Sequence, residues 1–262
     1  MTIGAENQAA YARRPETYAQ DVTLQRVERE ILRRFRHRWP TIRMLDLGIG
    51  GGRTTFTFGA IAGSYVGIDY AEPMVALARE LAGEDENCRL SVGDARDLAD
   101  YPDETFDFVL FSFNGIDYVD HNDRQLILRE VRRVLASDGT FLFSSHSLDS
   151  LPLTVRPLPE LTVSAPARSA YRLARTAALA IRLRRSNATL DLAGGKQRGW
   201  LIHPDLRMPL GLHTYYVTPR CQIQQLTHAG LAARQILDLA GRHVVIDAPP
   251  RDPWLYYVCT RA

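Results

Sequence analysis

Acidic, glycine and amide residues follow four short apolar runs in the first half of the chain. The first run leads into residues 46–52, DLGIGGG, and the second ends in Asp69. The third run, residues 90–94, also ends in an aspartate, and the fourth, residues 106–112, leads into Asn114. Because the carboxyl ends of parallel strands meet at one edge of an open α/β sheet, ligands bind in the crevice there. The spacing therefore predicts a ligand site at this edge, with Asp69 placed to bind ribose hydroxyls.

The elements that position these residues follow from local patterns. Glycine tolerates positive φ and close approach of a ligand, so residues 46–52 predict a tight turn between a strand and a helix. The wider pattern predicts helices at residues 21–38, 54–62, 122–139 and 218–230, and strands at residues 140–145, 232–239 and 255–260. Asn122 is the expected N-cap of the third of these helices, and Gly139 its end. On the helix at 21–38, apolar residues share one face and arginines alternate with glutamates on a solvated face.

Taken together, the motifs resemble a class I S-adenosylmethionine-dependent methyltransferase of the small-molecule, type 11-like branch. The resemblance rests on DLGIGGG (46–52), VGIDYAEPM (66–74), VGDARDL (92–98), FDFVLFSFNGIDYV (106–119) and LREVRRVLASDGTFLFS (128–144). It implies an α/β fold with a Rossmann-like, doubly wound, seven-stranded sheet, mostly parallel, with a C-terminal antiparallel hairpin and an inserted helical lid. The expected division is an N-terminal helical cap (1–40), a cofactor-binding domain (41–147 and 212–262) and an inserted substrate-recognition segment (148–211).

The resemblance implies S-adenosylmethionine as the cofactor and no metal. The residues that it implies for cofactor binding are Tyr18, Asp46, Gly48, Gly50, Gly52, Arg53, Asp69, Tyr70, Met74, Asp94, Ala95, Ser112 and Asn114. Asp69 would take both ribose hydroxyls, Asp94 would accept the adenine amino group, and the Ala95 N–H would donate to a ring nitrogen. Arg53 would pair with the cofactor carboxylate or lie on the surface. Met74 would pack against the cofactor or belong to the core-facing stripe of its own helix.

Methyl transfer from a sulfonium is an in-line displacement, which depends on positioning. A hydroxyl acceptor also needs a base, and histidine suits that role near neutral pH. His146, expected just past the fifth strand, and His213 are the candidate bases, with His203 as a further candidate inside the insertion. The predicted acceptor-binding residues are Tyr11, Asp117, Tyr118, Tyr215 and Tyr216. Asp117 and Tyr118 also fit a helix cap and a core aromatic, and Arg96 is expected to be exposed to solvent.

Composition limits the classes of partner. The chain of 262 residues is 45% hydrophobic and 24% charged, as expected of a soluble domain with a lid. A net charge of +2 is too small to predict a nucleic-acid partner. No apolar run approaches the roughly 18 residues of a membrane span, and the N-terminus lacks the apolar core of a signal peptide. Cys88, Cys221 and Cys259 lack paired spacing, so neither zinc nor a disulfide framework is expected, and a cytoplasmic monomer or homodimer is the default.

The acceptor class stays open. A small molecule, methylated on oxygen or nitrogen in natural product biosynthesis, is the main hypothesis. An RNA or protein methyltransferase is an alternative that the arginines of residues 168–185 would favour, and a non-catalytic partner subunit is another. The same stretch fits a substrate lid, a dimer contact or a membrane-surface helix. A dehydrogenase would use Asp69 equally well, but the motif at 93–95 and the terminal hairpin count against it. The loop after the fourth strand lacks the paired prolines of nucleobase amine methyltransferases.

Overall fold

A computed structural model describes residues 2–13, 23–83, 86–151, 187–188, 190–205, 212–246 and 252–262, together with Ile181 and Arg184. The helices in these residues are α1 (Ile3–Arg13), α2 (Arg26–Arg34), α3 (Thr55–Phe58), α4 (Glu72–Ala82), α5 (His121–Val134), α6 (Leu192–Arg198) and α7 (Pro219–His228). The strands are β1 (Arg43–Leu47), β2 (Ser64–Asp69), β3 (Cys88–Val92), β4 (Phe106–Phe111), β5 (Leu135–Ser147), β6 (Trp200–Pro204), β7 (His213–Val217), β8 (Leu231–Leu237) and β9 (Trp254–Arg261). Tyr18 and nearly all of the predicted helix at 168–185 lie outside the described residues.

The described strands join one mixed sheet. Strands β3, β2, β1, β4 and β5 lie side by side in that order and are parallel, so their carboxyl ends share one edge. Strand β9 runs antiparallel beside β5, and β8 runs antiparallel beside β9, so the predicted Rossmann-like class with its terminal hairpin is confirmed. The sheet has two strands more than the seven predicted. Strand β7 pairs in parallel with the last two residues of β5, and β6 pairs antiparallel with β7.

Both faces of the central strands are buried, and successive residues of a strand point to opposite faces. In β1, Met44 packs into a cluster with Val27 of α2 and with Trp39. Its neighbour Leu45 packs into a second cluster, with Ile127 of α5 and residues of α7. Helices therefore cover both faces, and the carboxyl edge is left to the loops that carry the polar residues.

Helix bounds differ from the sequence prediction in three places. Helix α2 covers only Arg26–Arg34 of the predicted residues 21–38, and residues 23–25 before it are not helical. Helix α3 covers only one turn instead of the predicted residues 54–62. Helix α5 begins one residue before Asn122, because Asp120 is the N-cap and its side chain accepts from two backbone N–H groups of the first turn. The helix ends at Val134, and Gly139 lies inside β5, where a Cβ would stand 2.8 Å from Leu135. Within the described ranges, no helix has the length and apolar character needed to cross a bilayer.

Candidate cofactor and acceptor site

A cavity of about 330 Å³ lies at the carboxyl ends of β1 to β4, with α1 on its other side. The predicted cofactor residues that line it are Asp46, Gly48, Gly50, Arg53, Asp69, Tyr70, Met74, Asp94, Ala95 and Ser112. Tyr11 and Tyr118, predicted for the acceptor, line it too. Gly52 and Asn114 are not part of this wall. A Cβ on Gly52 would lie 3.3 Å from the Ala78 Cβ, so Gly52 packs the turn against α4 instead.

The turn after β1 has the backbone geometry that glycine allows. Gly48 and Gly50 have φ values of 66° and 53°, which are strained for other residues. The Gly48 N–H donates to the Ile68 carbonyl at 2.8 Å, which ties the turn to β2. Among the described residues, apart from its two chain neighbours, no atom lies within 4 Å of the position that a Cβ on Gly50 would take. The turn therefore leaves open space on the cavity side, where a ligand can approach the backbone.

Asp69 is held in the cavity wall by backbone donors. Its carboxylate accepts the Gly50 N–H at 2.8 Å and the Ala71 N–H at 2.9 Å. Burial raises the pKa of Asp69, and these two backbone hydrogen bonds partly oppose that rise. The neighbouring Tyr70 hydroxyl is buried and has no hydrogen-bond partner among the described residues. The wall thus offers a fixed acceptor beside a hydroxyl donor whose partner would be a ligand.

Asp46 lies deeper than Asp69 and is bound by side chains. Its Oδ2 accepts from the Thr54 hydroxyl at 2.5 Å and from the Tyr65 hydroxyl at 2.7 Å. Complete burial raises the pKa of Asp46 to about 7, although both hydrogen bonds favour the ionised form. The main role of this carboxyl in the structure is to join the glycine turn to β2 and α3.

The raised pKa of Asp46 predicts a pH-dependent stability. The folded state keeps the Asp46 proton to a higher pH than the unfolded chain, so the free energy of unfolding falls between pH 3.8 and about 7. The fall reaches about 4 kcal/mol, because one pKa unit corresponds to about 1.4 kcal/mol. We expect urea unfolding across this pH range to show a fall that is about 4 kcal/mol larger in wild type than in Asp46→Asn. Asp69 contributes a slope of the same sign to both proteins, so it cancels in the comparison. Parallel curves for the two proteins would contradict the assignment.

Asp94 is not free to face the cavity with both oxygens. Arg96, expected to be exposed, instead forms ion pairs with Asp94 at 2.6 Å and with Asp123 of α5 at 2.7 Å. Burial pushes the pKa of Asp94 up, but the hydrogen bonds from Arg96 outweigh it and leave the pKa lowered. The sequence does not predict the ion pair between Arg96 and Asp123, because Asp123 lies in α5, 27 residues further along the chain. Ala95, between the two partners, lines the cavity as predicted.

Arg53 has a protein partner that the sequence reading missed. Its two Nη atoms each lie 2.7 Å from an oxygen of Glu28, whose side chain is fully buried in α2. Ser112 accepts from Arg53 at 3.0 Å and donates to Glu28, which joins the loop after β4 to the same group. The signal was present in the sequence, because Glu28 lies four residues after Leu24 and three before Ile31, on the apolar face of α2.

His146 lies in β5, not just past its end, and is bound to Asp117. The His146 Nδ1 lies 2.8 Å from Asp117 Oδ2, and the His146 backbone N–H donates to the same oxygen at 2.6 Å. On the other side of the ring, the Asn114 amide nitrogen lies 3.3 Å from Nε2. Asp117, predicted to bind the acceptor, is buried behind the cavity wall and contacts Arg124 and Ser145 instead. The structure therefore brings a histidine–aspartate pair together behind Tyr118 of the cavity wall, and His146 itself does not line the cavity.

The predicted aromatic residues separate into two groups. The Tyr118 and Tyr216 rings lie 6.4 Å and 5.4 Å from the His146 ring. Tyr215 is fully buried on the other side of β7, where its hydroxyl bonds His121 at 2.7 Å, so it does not reach the cavity. The alternation of β7 explains the difference, because neighbouring residues of a strand point to opposite faces. His203 is also buried, and burial lowers its pKa.

Helix α1 covers the entrance of the cavity through hydrogen bonds to backbone carbonyls. The Asn7 side-chain amide donates to the carbonyls of Tyr118 at 2.9 Å and His213 at 2.7 Å. The Gln8 amide donates to the carbonyl of Tyr70 at 2.6 Å. No sequence pattern singles out either amide. The His213 ring, one of the predicted bases, is 39% exposed at the outer edge and lies outside the cavity wall.

The strand-end loops, the glycine turn and the cavity define a Rossmann-like ligand site at the carboxyl edge of the sheet. A family model described as a methyltransferase domain matches residues 44–139. The chain therefore carries a methyltransferase domain in these residues. The match includes Asp46, the glycine turn, Asp69 and Asp94.

Curated relatives match over the same region. The uncharacterized methyltransferase YcgJ of Bacillus subtilis (strain 168) is 35% identical over 106 residues, which are 40% of each chain. The demethylmenaquinone methyltransferase of Staphylococcus aureus (strain MRSA252) is 32% identical over 118 residues, 43% of this chain and 46% of the relative. Ajmaline N-methyltransferase of Rauvolfia serpentina is 36% identical over 110 residues, 39% of this chain and 35% of the relative. The chain thus matches less than half the length of these relatives.

Solved structures resemble the fold over most of the chain. An S-adenosylmethionine-dependent methyltransferase from Mesorhizobium loti has a TM-score of 0.58 at 20% identity, covering 84% of this chain and 91% of that one. The 1,6-didemethyltoxoflavin-N1-methyltransferase of Burkholderia thailandensis has a TM-score of 0.60 at 15% identity, covering 98% and 88%. At these identities the likeness concerns the fold.

Proposed function

We propose that the protein transfers a methyl group from S-adenosylmethionine to an oxygen or nitrogen atom of a small-molecule acceptor. The observation that carries the proposal is the cavity at the carboxyl ends of β1 to β4, where Asp69 and the glycine turn face the interior. Two names support a small acceptor, since a structural neighbour is a 1,6-didemethyltoxoflavin-N1-methyltransferase and a curated relative is an ajmaline N-methyltransferase.

The residues present fit the cofactor. The space beside Gly50 admits a ligand next to the backbone, and Asp69 provides an acceptor held by two backbone donors. The unpartnered Tyr70 hydroxyl provides a donor in the same wall. When bound, S-adenosylmethionine supplies a methyl group on a positively charged sulfur, and the C–S bond electrons stay with that sulfur after transfer. Asp69, Tyr70, Met74 and Ala95 are the residues that we assign to hold its nucleoside part.

Arg53 is a weaker candidate for the cofactor carboxylate than the sequence suggests. Glu28 already occupies both Nη atoms with short contacts, and burial of that pair makes its separation costly. Arg53 also lies 5.3 Å from the centre of the Phe113 ring. We therefore assign Arg53 to shaping the cavity wall beside Ser112.

His146 is the base that we assign for a hydroxyl acceptor. It is paired with a buried carboxylate and lies against Tyr118 of the cavity wall, whereas His213 faces Glu6 at the outer edge. We further propose that residues 148–211 contribute to acceptor recognition, and that the protein works in the cytoplasm as a monomer or homodimer. A place in natural product biosynthesis agrees with the small acceptors named for two relatives.

The acceptor class can be tested by following the labelled methyl group. We expect the protein, incubated with methyl-labelled S-adenosylmethionine and a cell extract, to place label in the small-molecule fraction. Asp69→Ala serves as the control, because it removes the assigned ribose acceptor. Label in acid-precipitable protein or RNA would overturn the small-molecule proposal and favour a macromolecular acceptor. Tight cofactor binding without any transfer would instead indicate a non-catalytic partner subunit.

A further inference from the structure

The carboxylate of Asp117 is surrounded by donors on all sides. Its Oδ1 accepts from the Ser145 hydroxyl at 2.8 Å and from Arg124, and its Oδ2 accepts from the backbone N–H of His146. Arg124 is itself fully buried and donates to Gln222 as well. With an arginine in direct contact, the carboxylate is an acceptor only. The His146 Nδ1, 2.8 Å from Oδ2, must therefore carry the hydrogen of that contact.

This contact determines which nitrogen of His146 has a free lone pair. A neutral imidazole carries hydrogen on one nitrogen only, so Nδ1–H leaves Nε2 as an acceptor. The group facing Nε2 is a donor, the amide nitrogen of Asn114 at 3.3 Å. The Asn114 Oδ1 is buried and has no hydrogen-bond partner among the described residues. Both sides of the ring thus agree on one tautomer.

The backbone holds Asn114 against the histidine. Asn114 has a φ of 62°, in the left-handed region, and its N–H donates to the Ser144 hydroxyl at 2.8 Å. The loop that it belongs to contributes Phe113, Gly115 and Tyr118 to the cavity wall. Asn114 therefore contacts His146 Nε2 from a loop that contributes to the cavity wall, although neither residue lines the cavity itself. An acceptor hydroxyl that reaches this side of the ring would replace the Asn114 amide at Nε2.

We infer that Asp117 is a positioning residue that fixes His146 as the Nδ1–H tautomer, so that Nε2 takes the proton of an acceptor hydroxyl. This inference rests on the proposed function. In the step, the O–H bond breaks, its electron pair stays on the acceptor oxygen, and a new N–H bond forms at Nε2. The oxygen then attacks the methyl carbon, and His146 leaves the step as an imidazolium. A neutral amine attacks through its own lone pair and needs no base before transfer, whereas a hydroxyl does, so we assign the acceptor atom as oxygen.

Asp117 acts on His146 mainly by orienting its ring and fixing its tautomer, and not by stabilising a positive charge on it. Arg124 forms a contact with the same carboxylate, and both side chains are fully buried. Its positive charge offsets most of the field that Asp117 would exert on an imidazolium. In the serine protease triad, replacing the equivalent aspartate with asparagine leaves the geometry intact but gives the wrong tautomer and lowers kcat by about 10⁴. We expect Asp117→Asn to lower kcat by about 10² to 10⁴ with little change in KM.

The tautomer can be read directly by long-range ¹H–¹⁵N correlation NMR on the histidine-labelled protein at mildly alkaline pH. His146→Gln identifies the signal. We expect the Nδ1–H form in wild type and a gain of the Nε2–H form in Asp117→Asn, whose amide can donate to Nδ1. Glu6→Gln is the matched control, because Glu6 lies beside a different histidine, His213, and should leave the His146 signal unchanged.

If Asp117→Asn does not fold, the wild-type spectrum alone tests the inference. An Nε2–H tautomer of His146 in wild type overturns it. An unchanged tautomer in a folded Asp117→Asn protein overturns it too. The oxygen assignment is tested by ¹³C-methyl-labelled S-adenosylmethionine, because the carbon shift of the product distinguishes an ether from an amine, and an N-methyl product contradicts it. The NMR measurement of the His146 tautomer requires neither cofactor nor acceptor. A negative result there is therefore distinct from failure of the proposed function, which is tested by titration with the cofactor.

Discussion

Asp69→Ala is expected to weaken binding of S-adenosylmethionine and S-adenosylhomocysteine by about 100-fold or more. Hydrogen bonds to a charged group contribute about 1.5–3 kcal/mol each, and each 1.4 kcal/mol is a tenfold change in affinity. The substitution also removes the acceptor of the Gly50 N–H, which holds the glycine turn in its open shape. Isothermal titration with both adenosyl ligands and with NAD, on wild type and variant, measures the effect.

Two controls make the titration specific. Asp100→Ala removes an exposed carboxylate outside the cavity wall and should leave both affinities unchanged. Asp69→Asn keeps an oxygen that can accept the Gly50 N–H but loses the charge, so it separates loop anchoring from ligand binding. Equal affinities in wild type and Asp69→Ala, or tighter binding of NAD than of the adenosyl ligands, would refute the assignment of the cavity.

Glu28→Gln is expected to lower the free energy of unfolding by about 3–5 kcal/mol, the usual effect of removing one partner of a buried ion pair. The Arg53 side chain is only 13% exposed, so its charge would be left without a counter-charge or full hydration. Glu28 also accepts from Ser112 and Tyr256, which ties α2 to β4 and β9. Urea denaturation followed by circular dichroism measures the difference.

Glu30→Gln is the matched control for this experiment. Glu30 lies in the same helix, two residues on, and pairs with Arg26 at 3.2 Å while its side chain is 37% exposed. Surface pairs of this kind contribute about 0.3–0.5 kcal/mol, so the expected change is small. Similar losses for the two variants would mean that the helix face, and not the buried pair, determines stability.

Local sequence pattern was sufficient to predict the first four parallel strands, because each is a short apolar run followed by glycine, an acid or an amide. The terminal hairpin was predicted with the help of the family resemblance. The end of α5 was not predicted, because residues 135–139 have no helix-breaking signal before Gly139. Leu135 joins the sheet because it pairs with Phe106 of β4, a contact that local sequence does not contain.

The candidate site was predictable to the extent that residues act alone at strand ends. Asp69 and the glycine turn follow neighbouring parallel strands, whose carboxyl ends meet at one edge of the sheet. Their place in the cavity wall could therefore be predicted from the strands alone. The burial of Glu28 follows from its place on the apolar face of α2, but its partner and the partner of Asp117 were not predictable, because both lie far along the chain. Glu28 meets Arg53 across 25 residues, and Asp117 meets His146 across 29. Tyr215 and Tyr216 show the same limit, since only the observed register of β7 decides which of them faces His146.

The way in which α1 is anchored over the cavity affects which substitutions this chain can tolerate. Its amides bind the backbone carbonyls of Tyr70, Tyr118 and His213. A carbonyl is present whatever side chain follows it, so substitutions at these positions leave the anchoring of the helix intact. Side chains at Tyr118 and His213 can therefore change, by natural drift or by directed evolution, while α1 keeps its hydrogen bonds. The anchoring of this helix is thus independent of the side chains at the positions that it contacts.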